Sequence, residues 1–210
     1  MTRLLLVRHA ATMLADDRFA GSTDVLLGPE GRDQAERLGT RLATETMAAV
    51  YCSPMRRTVE TATVLATPHA LTPQTLDGLR EIDHGRWEGL RRSEVEALYP
   101  EEYAAWVHDP LTVGPTGGES GQQVMARALA AVAELVHQYA GQQVLVVSHK
   151  GTIRLVVANL LGLDARGYRD RLDQAPACLN VLDVDDTLHA RLILFNDISH
   201  YSGSLHSPRV

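Results

Sequence analysis

The sequence has little cysteine, few aromatics, no long apolar run and no surplus of positive charge, and each shortage excludes something. Cys52 and Cys178 are the two cysteines in 210 residues, far apart and without C-x-x-C spacing. Neither a disulfide framework nor a thiolate metal site is expected from them. The histidines come with no H-E-x-x-H pattern and no carboxylate pair, so neither a metal site nor a cofactor is called for. The apolar run after Arg3 is four residues long, too short for the core of a secretory leader, and no later run reaches the roughly 18 residues of a membrane span. Twenty Lys and Arg stand against 26 Asp and Glu, a net charge of −6. That is the wrong sign for a protein whose main partner is nucleic acid. These absences point to the reducing cytoplasm, with neither nucleic acid nor membrane as a partner; self-association into a homodimer is left open.

What is present fits a globular enzyme-sized domain. The chain is 45% hydrophobic and 22% charged, enough to bury a real core. Short apolar runs alternate with helical periodicity. Strands are expected over residues 3–7, 48–52 and 144–147, with an extended stretch at 72–77 and a closing hairpin of 178–184 and 189–195 around Asp185-Asp186. Helices are expected over residues 30–44, 120–139 and 152–161. Another should run from Ser53, as N-cap with Pro54 in the first turn, to about residue 66. The alternation predicts an α/β fold, a three-layer α/β/α sandwich with a mostly parallel central sheet. Residues 79–115 differ in kind, being rich in Trp, Tyr, Glu and Arg with helical pieces near 93–98 and 101–108. They predict a small helical cap inserted into a single domain of residues 1–210.

The chemistry gathers where strands stop. The run Leu4-Leu5-Leu6-Val7 ends in Arg8-His9 with no turn residue between. The second strand runs into Ser53-Pro54-Met55-Arg56-Arg57, and the strand at 144–147 into Ser148-His149-Lys150-Gly151. Alone, each has a plain reading: a surface cation, a core histidine, a solvated helix arginine. In a mostly parallel sheet, however, the ligand crevice lies at the carboxyl ends of the strands, and all three segments fall there. Arginine forks match phosphoryl oxygens, and a helix starting near Thr152 would add N–H groups and its positive end. A metal is the poorer occupant, since guanidinium groups repel it. A histidine kept neutral among arginines can attack phosphorus.

These motifs resemble the histidine phosphatase superfamily, the phosphoglycerate mutase-like fold, over nearly the whole chain. The matching stretches begin with Leu6-Val7-Arg8-His9, then Ser53–Arg57 with Thr61-Ala62, then Glu81-Ile82-Asp83-His84-Gly85-Arg86-Trp87-Glu88-Gly89. Gly117–Ser120, Val147-Ser148-His149 and Asn196–His200 complete the series in the family's order. The resemblance implies that His9 is the nucleophile, that Arg8, Arg57, His149 and Thr12 surround the transferred phosphoryl group, and that Glu81 is the acid and base. It implies His9, Glu81 and His149 as the catalytic set. His84 and His200 are expected to approach the far end of the substrate, as in the family's metal-independent phosphoserine phosphatases.

Departures from the family pattern sit at the rim. Ala10-Ala11 stands where Gly-Glu is common, and Ala15 where Asn is frequent; Asp16–Arg18 or Ser22 are the polar groups available to replace it. Lys150 follows the second histidine where many members have Gly, and is expected to point to solvent. The compact insertion favours hydrolysis of a small phosphorylated metabolite: phosphoserine, alpha-ribazole phosphate or a sugar phosphate. The alternatives are mutase-type phosphoryl transfer and a non-catalytic phospho-ligand binder.

Overall fold

Residues 4–7 carry no polar side chain, and a strand so composed can only be covered on both faces. The computed structural model, which describes residues 1–14 and 18–202, places them in the middle of a six-stranded sheet. In β1 (Thr2–Arg8), Leu4 and Leu6 enter one core and Leu5 and Val7 the other, following the two-residue period of a strand. After β1 come α1 (Pro29–Leu42), β2 (Ala49–Cys52), α2 (Arg56–Ala66) and β3 (Gln74–Thr75). Next are α3 (Arg92–Leu98), α4 (Pro100–His108), α5 (Gly121–Gln138), β4 (Gln143–Ser148) and α6 (Lys150–Leu160). The described chain closes with α7 (Tyr168–Arg171), β5 (Leu179–Val184) and β6 (Ala190–Asp197).

The strand order is β3-β2-β4-β1-β5-β6. The first four run parallel, β5 is antiparallel to β1, and β6 is antiparallel to β5. One face packs on α5 and α6 through Val132, Leu135, Ile153 and Val157. The other packs on α1 and α2 through Leu38, Leu42, Ala62 and Leu65. The result is the expected α/β/α layering around a mixed, mainly parallel sheet. Between β3 and α5 lie the short helices α3 and α4, where Trp87, Val95 and Trp106 build a small core of their own with Phe19. No helix among the described residues is long and apolar enough to cross a membrane.

Register brings the strand ends level. Arg8 pairs with Ser148 across β1 and β4, and Cys52 with Val147 across β2 and β4. Two helices begin elsewhere than expected. α2 starts at Arg56 with Met55 as N-cap; the Ser53 hydroxyl accepts from Met55 N at 3.4 Å and lies 2.8 Å from His149 Nε2. α6 starts at Lys150, two residues early, with His149 in extended conformation as its N-cap. The 72–77 stretch forms only a two-residue edge strand, Gln74–Thr75.

Candidate active site

His9 continues β1 by one step, its N–H donating to Ser148 O at 2.9 Å while its own carbonyl accepts from Ala177 N at 3.2 Å. The next residue, Ala10, is fully buried and donates its N–H to Thr61 Oγ1 at 3.1 Å. Its φ is not positive, so alanine fits there without strain. The Ala11 N–H donates to Gln34 Oε1 at 3.0 Å. The His9 ring, 8% exposed, has Nδ1 2.9 Å from the Ala10 carbonyl. A carbonyl can only accept, so Nδ1 carries the proton and Nε2 keeps its lone pair. Burial, then the charges of Arg8 and Arg57, hold the ring well below the ordinary imidazole pKa. Neutral, singly protonated and aimed by its own backbone, His9 is prepared as a nucleophile.

His149 is fixed by the same logic in reverse. Arg57 Nε donates to its Nδ1 at 3.1 Å, and guanidinium cannot accept, so the proton sits on Nε2 and is donated to Ser53 Oγ at 2.8 Å. The two imidazoles meet edge to face, centroids 5.3 Å apart. His149, expected against the phosphoryl group, is fully buried beside His9, with one ring nitrogen engaged by Arg57 and the other by Ser53.

Arg57 is held from its other side by a loop. Its Nη1 donates to Thr23 O at 2.8 Å, and its Nη2 to Gly21 O at 2.9 Å and Ala20 O at 3.3 Å. That loop is in turn gathered by the Glu88 carboxylate, which accepts from Gly21 N at 3.0 Å, Ser22 N at 2.9 Å and Thr23 N at 3.2 Å. It also accepts from the Thr23 hydroxyl at 2.8 Å and His84 N at 3.0 Å. Burial by itself would raise this carboxyl, but the Ser22 and His84 N–H groups and the Thr23 hydroxyl outweigh it and hold the pKa below the usual range. Gly21 has to be glycine: a Cβ there would lie 1.7 Å from Ile82 O.

Glu81 occupies the start of α6. Its carboxylate accepts from Gly151 N at 3.1 Å, Thr152 N at 3.2 Å and the Thr152 hydroxyl at 3.2 Å. The helix N–H groups expected to hold phosphate therefore hold this carboxylate, where the positive end of the helix also favours it. Gly151 permits the approach, since a Cβ would stand 2.8 Å from Glu81 Oε1.

Arg8, His9, Thr12, Arg57, Glu81 and His84 all line one cavity of about 230 Å³. Arg8 donates to Gln174 O at 2.8 Å, and its buried Nε has no partner. His84 lies edge-on to Phe19, centroids 4.8 Å apart, with a partnerless buried Nδ1. Burial lowers its pKa. His200 does not line the cavity: it packs edge-on against Tyr201 at 4.8 Å, and burial pushes its pKa down to about 4. Lys150, expected to point to solvent, has a side chain 41% exposed that lies 3.7 Å from Asp173, and the residue lines the cavity. Ala15 and Asp16 lie outside the described residues, while Arg18 reaches the cavity and donates to Gly89 O at 2.6 Å. Arg92, Arg154 and Arg169 also line it, and nothing in their local sequence marks them. No group of three or more His, Cys, Asp or Glu among the described residues is arranged to hold a metal.

The family model for the histidine phosphatase superfamily (branch 1) matches residues 4–198. Phosphoserine phosphatase 1 of Hydrogenobacter thermophilus is 37% identical over 165 residues, 78% of each chain. The adenosylcobalamin/alpha-ribazole phosphatase of Escherichia coli is 32% identical over 188 residues, covering 87% of this chain and 90% of that one. Among solved structures, Bacillus stearothermophilus YhfR superposes with a TM-score of 0.89 at 29% identity, covering 95% of this chain and 99% of its own.

Proposed function

The chain belongs to the histidine phosphatase superfamily and is a phosphoric monoester hydrolase; we propose that it works through a phosphohistidine on His9 and acts on a small phosphorylated metabolite. His9 Nε2 attacks phosphorus as the bond to the leaving oxygen breaks. Glu81, protonated for this step, donates its proton to that oxygen. The Glu81 carboxylate then takes a proton from water, whose oxygen displaces the histidine, releasing inorganic phosphate and returning both groups to their starting state. Arg8, Arg57 and Thr12 stabilise the charge on the phosphoryl oxygens. His149 serves in this scheme by holding Arg57 at Nε, as a positioning residue. No metal or cofactor enters the scheme.

The observation that carries the reading is the Nδ1 contact of His9 to Ala10 O at 2.9 Å, which leaves a neutral Nε2 beside Arg8, Arg57 and Glu81 in one cavity. Rapid mixing with ³²P-labelled phosphoserine, quenched in base, tests it. An alkali-stable, acid-labile label on His9 that forms and decays within one turnover is expected. Turnover without such a label would overturn it.

Phosphoserine is the preferred substrate in this reading, ahead of alpha-ribazole phosphate and sugar phosphates. His84 supports it, because a buried imidazole with a partnerless Nδ1 stands in the cavity wall. Equal kcat/KM for phosphoserine, sugar phosphates and p-nitrophenyl phosphate would count against that preference. We further propose a single catalytic domain with residues 79–115 as its cap, working in the cytoplasm and without nucleic acid. A homodimer is compatible with this scheme. The free, buried Cys52 and Cys178 support a reducing compartment, burial pushing both thiols up to about 11.

A further inference from the structure

A phosphomonoester brings at most two negative charges, yet the cavity that receives it is lined by more cations than these can balance. Beyond Arg8 and Arg57 stand Arg18, Arg92, Lys150, Arg154 and Arg169, with Glu81 as the single carboxylate among the described residues of the wall. Several of the five are already matched. Arg18 lies 3.9 Å from Glu94, Arg154 3.3 Å from Asp173 and Lys150 3.7 Å from the same carboxylate. Arg92 and Arg169 differ. Neither is ion-paired to a carboxylate among the described residues; Arg169 lies over the Trp106 ring, 3.7 Å from its centroid, and Arg92 faces Phe19 at 5.9 Å.

Those two rings are themselves in contact, centroids 5.6 Å apart, so the two cations face one aromatic floor. They are close enough that the charge of Arg92 adds to burial in lowering the pKa of Arg169. Stacking fixes a guanidinium without using its in-plane donors. Two such groups, both in the cavity wall and neither ion-paired to a carboxylate among the described residues, can serve a carboxylate or a phosphate together. The floor belongs to the small core built by Phe19, Trp87, Val95 and Trp106.

We propose that Arg92 and Arg169 form a second anion subsite that selects substrates carrying a further anionic group at the end remote from the scissile phosphate. The inference rests on the hydrolase reading for its substrate but not for its binding chemistry, and the test separates the two. ω-Carboxyalkyl phosphates of two to six carbons, the matching α,ω-alkanediol bisphosphates and plain n-alkyl phosphates are compared by kcat/KM. One chain length of an anionic-tailed series should exceed its plain counterpart at least tenfold. The carboxylate and bisphosphate arms tell which anion the pair prefers. Arg92→Gln and Arg169→Gln should each bring that ratio severalfold toward one, and the double variant close to one. Arg37→Gln, which removes the same charge from an exposed position on α1, should leave the ratio as it was.

Calorimetric binding of ω-carboxyalkylphosphonates against alkylphosphonates reads the subsite with no turnover required. A tail preference in binding that Arg92→Gln abolishes supports the subsite even if the chain hydrolyses none of the esters. Equal binding and equal kcat/KM with and without the tail would overturn the subsite while leaving the hydrolase reading intact.

Discussion

The floor of the pocket and its rim are built on opposite plans. On the floor, each chemical group is held by backbone or by another floor residue: His9 by Ala10 O, Arg57 by three loop carbonyls and His149, Glu81 by the start of α6. At the rim, Arg18, Lys150 and Arg154 lie 3.3–3.9 Å from carboxylates, and Arg92 and Arg169 face aromatic rings. Preorganised groups lower the barrier because nothing has to move when charge develops, whereas loosely matched cations can accept different anions. The difference teaches a division of labour: the floor carries the chemistry, and the rim chooses what enters.

Breaking the floor should cost most. His9→Asn should lower kcat/KM by about 10⁴-fold or more, the scale seen when a catalytic nucleophile is lost, and should abolish the base-stable phosphoenzyme in a rapid quench. Glu81→Gln should cost about 10²- to 10⁴-fold with an alkyl phosphate, the range of general acid–base catalysis. With p-nitrophenyl phosphate, whose leaving group needs no proton, the variant should still show a burst of His9 labelling followed by slow turnover. Equal losses on both substrates would remove Glu81 from the acid role.

The same division decides what could be read from the chain alone. The sheet was legible because strands covered on both faces are unbroken apolar runs, as at residues 4–7. Arg8 and His9 were legible because they lie directly at a strand's carboxyl end, and Arg57 because it follows one in a contiguous motif, in the first turn of α2. The position of His149 was legible but its orientation was not, since that depends on Arg57 and Ser53 arriving from another strand end. The start of α6 was missed because its N–H groups are capped by Glu81, about 70 residues away in sequence. Arg92 and Arg169 look like ordinary helix arginines, and only the packing of Phe19 against Trp106 gives them a shared place. His200 stands in a recognisable motif beyond β6, but its packing against Tyr201 was not legible in the sequence.

Between floor and rim stands Glu88, which ties the loop at residues 20–23 to Arg57 and so tests whether the two regions are separable. Glu88→Ala leaves several N–H groups without an acceptor and should cost about 2 kcal/mol of stability and roughly tenfold in kcat/KM. Glu88→Gln, which keeps one acceptor oxygen, should recover much of both. Because the folded carboxyl is held below its ordinary pKa, its contribution is complete above the unfolded value and fades as pH falls through the folded one. Denaturant melts of wild type against Glu88→Gln at neutral and acid pH should therefore converge as the medium becomes acid. A gap that widens on acidification would overturn the assignment.

A gentler probe of the floor is pH itself. His9 is held neutral by burial and by Arg8 and Arg57, so its reactive form persists below the ordinary imidazole value of about 6.5. The single-turnover rate of His9 labelling, corrected for the ionisation of the substrate, should show no acid limb at that value and should fall only at lower pH. A limb at the ordinary value would mean that the free enzyme carries a protonated, unreactive imidazole.

The smallest effect is expected at Lys150, where the comparison is sharpest because the residue adjoins the floor in sequence yet belongs to the rim in space. Its side chain is 41% exposed and lies 3.7 Å from Asp173, a carboxylate that Arg154 already approaches at 3.3 Å. An ion pair so exposed contributes about 0–1 kcal/mol, and Arg154 remains to meet Asp173 when the ammonium is removed. Lys150→Ala should thus change kcat/KM by about threefold or less on plain alkyl phosphates, read by steady-state kinetics. A loss beyond tenfold, carried by kcat, would move Lys150 onto the floor and make it a partner of the transferred phosphoryl group.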